Sequence, residues 1–210
     1  MKILENKSRI FWEEVFEKSK KEISSESWLK EWKHLFAEFE QLSALDIGCG
    51  SGADSLFLSL LNFQVVSIDF SFNALKKLKS SEKNIFPVLT DLNNPIPFKS
   101  EKFSMINASL SLHYFEYEKT KAILKNISSL LLPEGIFFSR FNSANDLNHG
   151  AEGKSNLKSE IGKNEKRFFD RKDLEELFAD WKIIHLQEKR IKYYGKEKVV
   201  WEVISAIDNV

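Results

Sequence analysis

Apolar residues recur along this chain at two different periods, and the changes between them mark out the elements. Near the N-terminus Ile10, Phe11, Trp12, Val15 and Phe16 suggest a short helix. Trp28, Leu29, Trp32, Leu35, Phe36 and Phe39 keep helical spacing and predict a second, with Ser27 available as its N-cap. A strand then ends at Asp46 and a helix follows over 53–61. The next strand, 64–68, runs into Asp69, and Ser71 can cap a helix over 72–78. Strands over 85–90 and 102–108 flank a two-proline loop, and a helix over 118–131 leads to a fifth strand over 135–142. This alternation predicts a mostly parallel sheet with helices on both faces.

The rhythm breaks over 143–167, a stretch rich in Asn, Ser, Gly, Lys and Glu. It is too long for an ordinary strand-to-helix connection, and its composition suits a mobile loop. A helix over 169–178, capped by Asp170, resumes the pattern. Strands over 181–189 and 199–206 then meet across Tyr193-Tyr194-Gly195-Lys196, a hairpin that would place one antiparallel strand in the sheet.

Composition narrows the class. The 210 residues suit one domain with a sizeable core. Lys+Arg and Asp+Glu both number 31, so no general charge draws the chain to nucleic acid or an anionic membrane. The first residues lack the apolar core of a signal peptide, and no run approaches the ~18 apolar residues of a membrane span. One cysteine, Cys49, rules out an intramolecular disulfide and suits a reducing cytoplasm. The four histidines are scattered, with no zinc-like spacing, so no metal is expected.

The chemistry concentrates at the first strand's end. Gly48, Gly50 and Gly52 stand at alternating positions in one turn, between a strand and a helix. Glycine permits positive φ and close approach of backbone to a ligand, which points to a nucleotide-like cofactor across the strand end. Gly48-x-Gly50-x-x-Ala53 also fits the dinucleotide fingerprint, and alone it describes any tight strand-to-helix turn. Asp69 ends the second strand at about the ~20-residue offset where an acidic side chain meets ribose hydroxyls.

Leu45-Asp46-Ile47-Gly48-Cys49-Gly50-Ser51-Gly52 resembles the first motif of class I S-adenosylmethionine-dependent methyltransferases. Asp69, Asp91-Leu92, the run from Asn107 to Tyr114, and Leu132-Pro133-Glu134-Gly135 resemble that family's later motifs in the same order. The resemblance implies an α/β, Rossmann-like sheet of seven mostly parallel strands with a C-terminal antiparallel hairpin. It implies S-adenosyl-L-methionine as cofactor and S-adenosyl-L-homocysteine as product. Asp46 would face the methionine ammonium, and backbone at Gly48, Cys49 and Gly50 would lie against the aminoacyl and ribose portion. Asp69 would accept from the ribose, Phe70 would pack on the adenine, and Asp91 with Leu92 would receive its amino group. Asn107 to Ser109 would offer carbonyls to the methionine amine. Phe70 and Leu92 are also read as ordinary core residues.

The resemblance divides the chain into a helical arm over 1–41, a cofactor core over 42–142, an insertion over 143–168 on the substrate side, and a closing helix and hairpin over 169–210. The arm reads either as two helices on the sheet flank or as a lid, with Phe11 and Trp12 its best-placed aromatics. Acceptor candidates lie over the sheet's C-terminal edge: Trp12, Tyr114, Asn142, Asn145, Asn148 and Arg167. His113 and His149 are the candidate general bases, against the plain reading of solvated loop histidines. Arg140, inside an apolar strand, reads as a snorkelling or paired residue.

Absences narrow the reaction. Asn107-Ala108-Ser109-Leu110 lacks the Pro-Pro-aromatic pattern of enzymes that methylate base amines. Cytosine C5 and arsenite methylation need cysteines this chain does not have. The basic run 189–198 interleaves cations with aromatics, as an RNA patch does, but reads more simply as a solvated hairpin. A small-molecule methyltransferase similar to bacterial enzymes near the tellurite-resistance type is the expectation. The rivals are RNA or protein methylation through the hairpin, a nicotinamide-binding oxidoreductase, and a non-catalytic cofactor-binding module.

Overall fold

A computed structural model describes residues 2–19, 26–36, 38–78, 84–155, 166–193 and 195–207. Seven strands form one sheet in the order β3-β2-β1-β4-β5-β7-β6. They are β1 (Ser43–Ile47), β2 (Gln64–Asp69), β3 (Ile85–Leu89), β4 (Phe103–Ser109), β5 (Leu131–Asn142), β6 (Trp181–Tyr193) and β7 (Lys196–Ile207). The first five run parallel, and β7 pairs antiparallel with both β5 and β6. This is the Rossmann-like sheet with an antiparallel hairpin that the motif order implies.

The helices are α1 (Lys2–Lys18), α2 (Ala53–Leu60), α3 (Phe72–Leu78), α4 (Tyr117–Leu130) and α5 (Arg171–Leu177). Strand alternation sends neighbouring side chains to opposite faces. Leu45, Ile47, Ile106 and Ala108 join Ile123, Leu124 and Ile127 of α4 and Leu174 and Leu177 of α5 in one core. Ala44, Val65 and Met105 face the other way, onto Phe57 and Leu58 of α2 and Leu75 and Leu78 of α3. A register shift between Phe103 and Met105 lets both pack on opposite cores despite their even spacing.

Three local expectations meet their physical cause. Ser71 Oγ accepts from Ala74 N at 3.1 Å and caps α3. Asp170 and Asp173 form a reciprocal capping box at α5. Ser27 Oγ accepts from Leu29 N at 3.1 Å, but the helix it starts is a 3-10 helix, Trp28–Phe36, instead of an α-helix through Phe39. Leu29 and Phe36 are buried from it, and Phe36 meets Phe63 and Phe138 edge-on. Tertiary packing of aromatics sets its form where periodicity suggested a longer regular helix.

The described parts of the stretch after β5, residues 143–155 and 166–168, include packed positions where composition suggests a mobile loop. Ser143 and Asp146 are fully buried, Arg167 is 4 % exposed, and Ala144, Ala151 and Phe168 form a small apolar cluster. A bridge from Ser143 to Phe169 closes its two ends. Residues 156–165 and Tyr194 of the hairpin turn lie outside the described residues. Among the described residues no helix is long and apolar enough to cross a membrane.

Candidate cofactor and acceptor site

The order of the strands reverses between β1 and β4: β2 and β3 extend one way, β5 the other. In open parallel sheets a ligand binds at such a switch point, outside the strands' C-terminal ends. Gly48, Gly50 and Gly52 form the turn there with φ of +65°, +53° and +86°. A Cβ at Gly48 would lie 2.5 Å from Ser111 Cβ, and one at Gly52 would collide with the Leu78 side chain. Two of the three glycines are therefore required by the fold itself. At Gly50 the nearest atom to an added Cβ is the ring edge of Phe16, at 3.2 Å.

Asp69 joins this turn to the end of β2. Its Oδ2 accepts from Gly50 N and its Oδ1 from Ser71 N, each at 2.9 Å. Burial pushes its carboxyl up, against the lowering effect of the backbone N–H groups of Ser71, Gly50 and Phe70. A carboxylate has about four acceptor positions, so each oxygen keeps capacity for a sugar hydroxyl.

Beneath the turn is a polar row on one face of the sheet. Ser67, Asp46 and Asn107 are register partners on β2, β1 and β4. Asn107 Nδ2 donates to Asp46 Oδ1 at 2.8 Å and to Asp54 Oδ2 at 3.1 Å. Ser55 Oγ donates to Asp46 Oδ2 at 2.6 Å, and Ser27 Oγ donates to Asp54 Oδ1 at 2.6 Å. Burial, then the Asp54 charge, pushes Asp46 up to about 7. Burial also raises Asp54, although Ser27 and the Arg140 charge oppose it. Burial, with Asp46 and Asp69 nearby, raises the Cys49 thiol well above its ordinary value, so this cysteine is no thiolate nucleophile.

Asn107 Oδ1 is buried with no hydrogen-bond partner among the described residues. Two carboxylates and an orphaned amide oxygen, held by neutral donors, form an acceptor set suited to an ammonium. The residues present therefore fit the methionine end of S-adenosylmethionine. Asp54 was not singled out from sequence. Its signal is position: it lies in the first turn of α2, eight residues after Asp46.

Phe70 is half-buried at the end of β2, and Asp91 follows β3. Asp91 Oδ1 accepts from Asn93 N at 2.9 Å and its Oδ2 from Arg9 Nη2 at 2.8 Å. Leu92 packs into the core beneath α4, so its side chain serves the fold. Ser109 ends β4. Helix α1 crosses this edge, with Trp12 edge-on to Tyr114 at 6.2 Å between centroids. Phe11, by contrast, is 59 % exposed.

The acceptor candidates divide into two groups. His113, Asn142 and Arg167 come together: Arg167 N donates to His113 O at 2.8 Å, and Asn142 Nδ2 donates to Arg167 O at 3.4 Å. His113 is buried, its Nδ1 has no partner among the described residues, and Tyr114 lies 4.3 Å from it between ring centroids. Burial, then the charges of Lys198 and Lys166, lowers its pKa well below the ordinary value and keeps it neutral. His149, Asn145 and Asn148 lie instead toward the β6–β7 hairpin. His149 Nδ1 is 2.9 Å from Asp146 Oδ1, Asn145 Nδ2 donates to Glu188 at 2.9 Å, and Asn148 Nδ2 donates to Glu197 O at 3.3 Å. Asp146 also takes Lys198 Nζ at 2.9 Å. Neither lysine was read from sequence as bearing on His113, because Lys198 reaches it from β7 and Lys166 from the end of the 143–167 stretch, both brought there only by the tertiary fold.

Comparison with known proteins agrees with the fold and the motif order. Residues 44–135 match a family of methyltransferase domains. A probable S-adenosyl-L-methionine-dependent methyltransferase TehB of Haemophilus influenzae is 32% identical over 87 residues, 40% of this chain and 30% of that protein. The human mitochondrial arginine-hydroxylase NDUFAF5 is 34% identical over 95 residues, 45% of this chain and 27% of that protein. The matched segments thus span less than a third of either relative. Among solved structures, H. influenzae TehB superposes with TM-score 0.65 at 19% identity, covering 85% of this chain and 62% of that one. A SAM-dependent methyltransferase from Anabaena variabilis gives TM-score 0.69 at 17% identity, covering 95% and 93%.

Proposed function

We propose that this chain, whose residues 44–135 form a class I S-adenosylmethionine-dependent methyltransferase domain, methylates a small-molecule acceptor. The observation that carries this reading is the meeting at one switch point of the Gly48–Gly50 turn, the Asp69 carboxylate bonded to it, and the Asp46–Asp54–Asn107 acceptor set. When bound, S-adenosylmethionine would supply an electrophilic methyl group, its sulfonium sulfur leaving as the thioether of S-adenosylhomocysteine.

The chain's own residues would do the holding. Asp46, Asp54 and Asn107 receive the ammonium, Asp69 the ribose hydroxyls, and Phe70 with Asp91 the adenine. With the cofactor fixed at both ends, positioning supplies much of the rate. Tyr114, Asn142 and Arg167 would border the acceptor, and neutral His113 Nδ1 would take its proton. Trp12 on α1 would help exclude water.

Charge pairing supports a small acceptor over a nucleic acid. Lys189 pairs with Glu31 and Glu202, Arg190 with Glu197 at 2.7 Å, and Lys198 with Asp146. Three cations of the basic run are thus already neutralised within the chain. Calorimetry with S-adenosylhomocysteine against NAD tests the cofactor. Incubation of a metabolite pool with methyl-labelled S-adenosylmethionine tests the acceptor class. Tight NAD binding, or label entering only RNA or protein, would reject the reading.

A further inference from the structure

Helix α1 lays one face across the segments that follow β1, β2, β3 and β4. Arg9, Trp12, Glu13 and Phe16 are spaced three and four apart, so they share that face. Each meets a different part of the rim. Phe16 lies over Gly50 after β1, and Trp12 meets Tyr114 after β4. Glu13 Oε1 accepts from Phe72 N at 2.9 Å, and its Oε2 accepts from Ser71 Oγ at 2.9 Å and Asn73 N at 3.2 Å, after β2. Arg9 reaches Asp91, after β3.

The Arg9 guanidinium makes two contacts there. Its Nη2 donates to Asp91 Oδ2 at 2.8 Å, and its Cζ lies 5.5 Å from the centre of the Phe70 ring. A nucleoside whose ribose sits on Asp69 places its base beyond it, toward the ends of β2 and β3, where Phe70 and Asp91 stand. Adenine would ask these residues for an aromatic face and an acceptor for its amino group. A guanidinium is also planar, stacks on aromatic rings and donates N–H to carboxylates. Asp91 Oδ1 already accepts from Asn93 N and Oδ2 from Arg9, so an incoming amino group meets the guanidinium at the same carboxylate.

We propose that Arg9 is an internal competitor for the adenine subsite, so that adenine and the Arg9 guanidinium exchange for each other on Phe70 and Asp91. The proposal rests on the methyltransferase reading above. Anchorage and exchange are divided between two residues of one helix. Glu13, with its three bonds to the start of α3, holds α1 on the rim. The Arg9 and Asp91 side chains are 46 % and 32 % exposed, so theirs is a weak, salt-screened pair that a ligand can replace. Arg9 thereby lowers apparent cofactor affinity by the fraction of molecules in which it covers the subsite.

The test is calorimetry of S-adenosylhomocysteine with the wild type, Arg9→Ala and Glu13→Gln at low and high salt. The expected result is binding about three- to tenfold tighter in Arg9→Ala, the size of gain set by one exposed ion pair and one cation–π contact. That advantage should shrink at high salt, and Glu13→Gln should not reproduce it. Weaker or unchanged binding in Arg9→Ala would overturn the proposal and make Arg9 a cofactor contact or a bystander. An equal gain in Glu13→Gln would overturn it too, because loosening of α1 would then explain both. If neither wild type nor Arg9→Ala binds S-adenosylhomocysteine while both melt cooperatively, the cofactor reading itself falls.

Discussion

Asn107 Nδ2 donates to Asp46 Oδ1 at 2.8 Å, linking the ends of the two strands between which the sheet reverses its order. The same nitrogen reaches Asp54 Oδ2, so one amide ties together two buried carboxylates. Burial resists ionisation of both groups, and burial first, then the charge of Asp54, push Asp46 up to about 7.

Stability should accordingly fall as pH rises through neutrality. Asp46 holds its proton more tightly folded than unfolded, where its value is near 3.8. Its stabilising contribution is complete below that value and is lost as pH climbs through about 7. The melting temperature of the wild type should drop between pH 5.5 and about 8.5 by more than that of Asp46→Asn. Parallel pH profiles for the two proteins would show that Asp46 ionises normally.

The three glycines of the turn should not respond alike to substitution. Gly52→Ala must displace the Leu78 side chain in addition to adopting φ +86°, and should cost about 2–4 kcal/mol of stability. Gly50→Ala meets only a ring edge of Phe16, so it should cost about 1–2 kcal/mol, mostly backbone strain at φ +53°. Denaturant titration of both variants checks the order. The reverse order would mean that the turn is not packed as described.

The parts of the molecule legible in the sequence were those governed by local rules. Periodicity and caps located the strands and the helices α2 to α5, because Ser71 and Asp170 act on backbone within three residues of themselves. The motif order gave the strand arrangement, and Asp46, Asp69 and Asp91 do converge on one edge. Side-chain geometry across long separations was not legible. Nothing local announces that Asp54 shares an amide with Asp46, that Arg9 reaches Asp91 across 82 positions, or that Lys198 bears on His113. At the described start of the 143–167 stretch, polar residues suggested solvent, whereas Asp146 is polar, buried and fully bonded.

That carboxylate carries the next prediction. Asp146 and Lys198 form a buried pair at 2.9 Å, further bonded by His149 and Val199 N. Lys198→Met leaves a buried carboxylate without its cation and should cost about 3–5 kcal/mol. Lys198→Met with Asp146→Leu should recover much of that loss, since a pair removed together leaves no charge stranded. Urea unfolding of the single and double variants decides it. No recovery in the double variant would mean that the pair orders the segment by more than charge.

His113 supplies a prediction on catalysis once an acceptor is found. Burial and the charges of Lys198 and Lys166 keep its ring neutral well below the usual pKa of 6.5. A base held neutral in this way is ready at every ordinary pH, so kcat should not decline as pH falls from 8 to about 6. An exposed histidine in the same role would lose activity over that interval as it protonated. His113→Gln should lower kcat about 10²- to 10⁴-fold with little change in S-adenosylhomocysteine affinity, because the ring is proposed to face the acceptor and makes no bond to Asp46, Asp69 or Asp91 among the described residues. Burial, the larger cause, stays in Lys198→Met, but removal of a neighbouring charge should still raise the ring's pKa and move any acid limb of the profile toward higher pH. A flat profile in the wild type together with full activity in His113→Gln would remove His113 from the chemistry. It would leave the buried imidazole as a packing group beneath Tyr114.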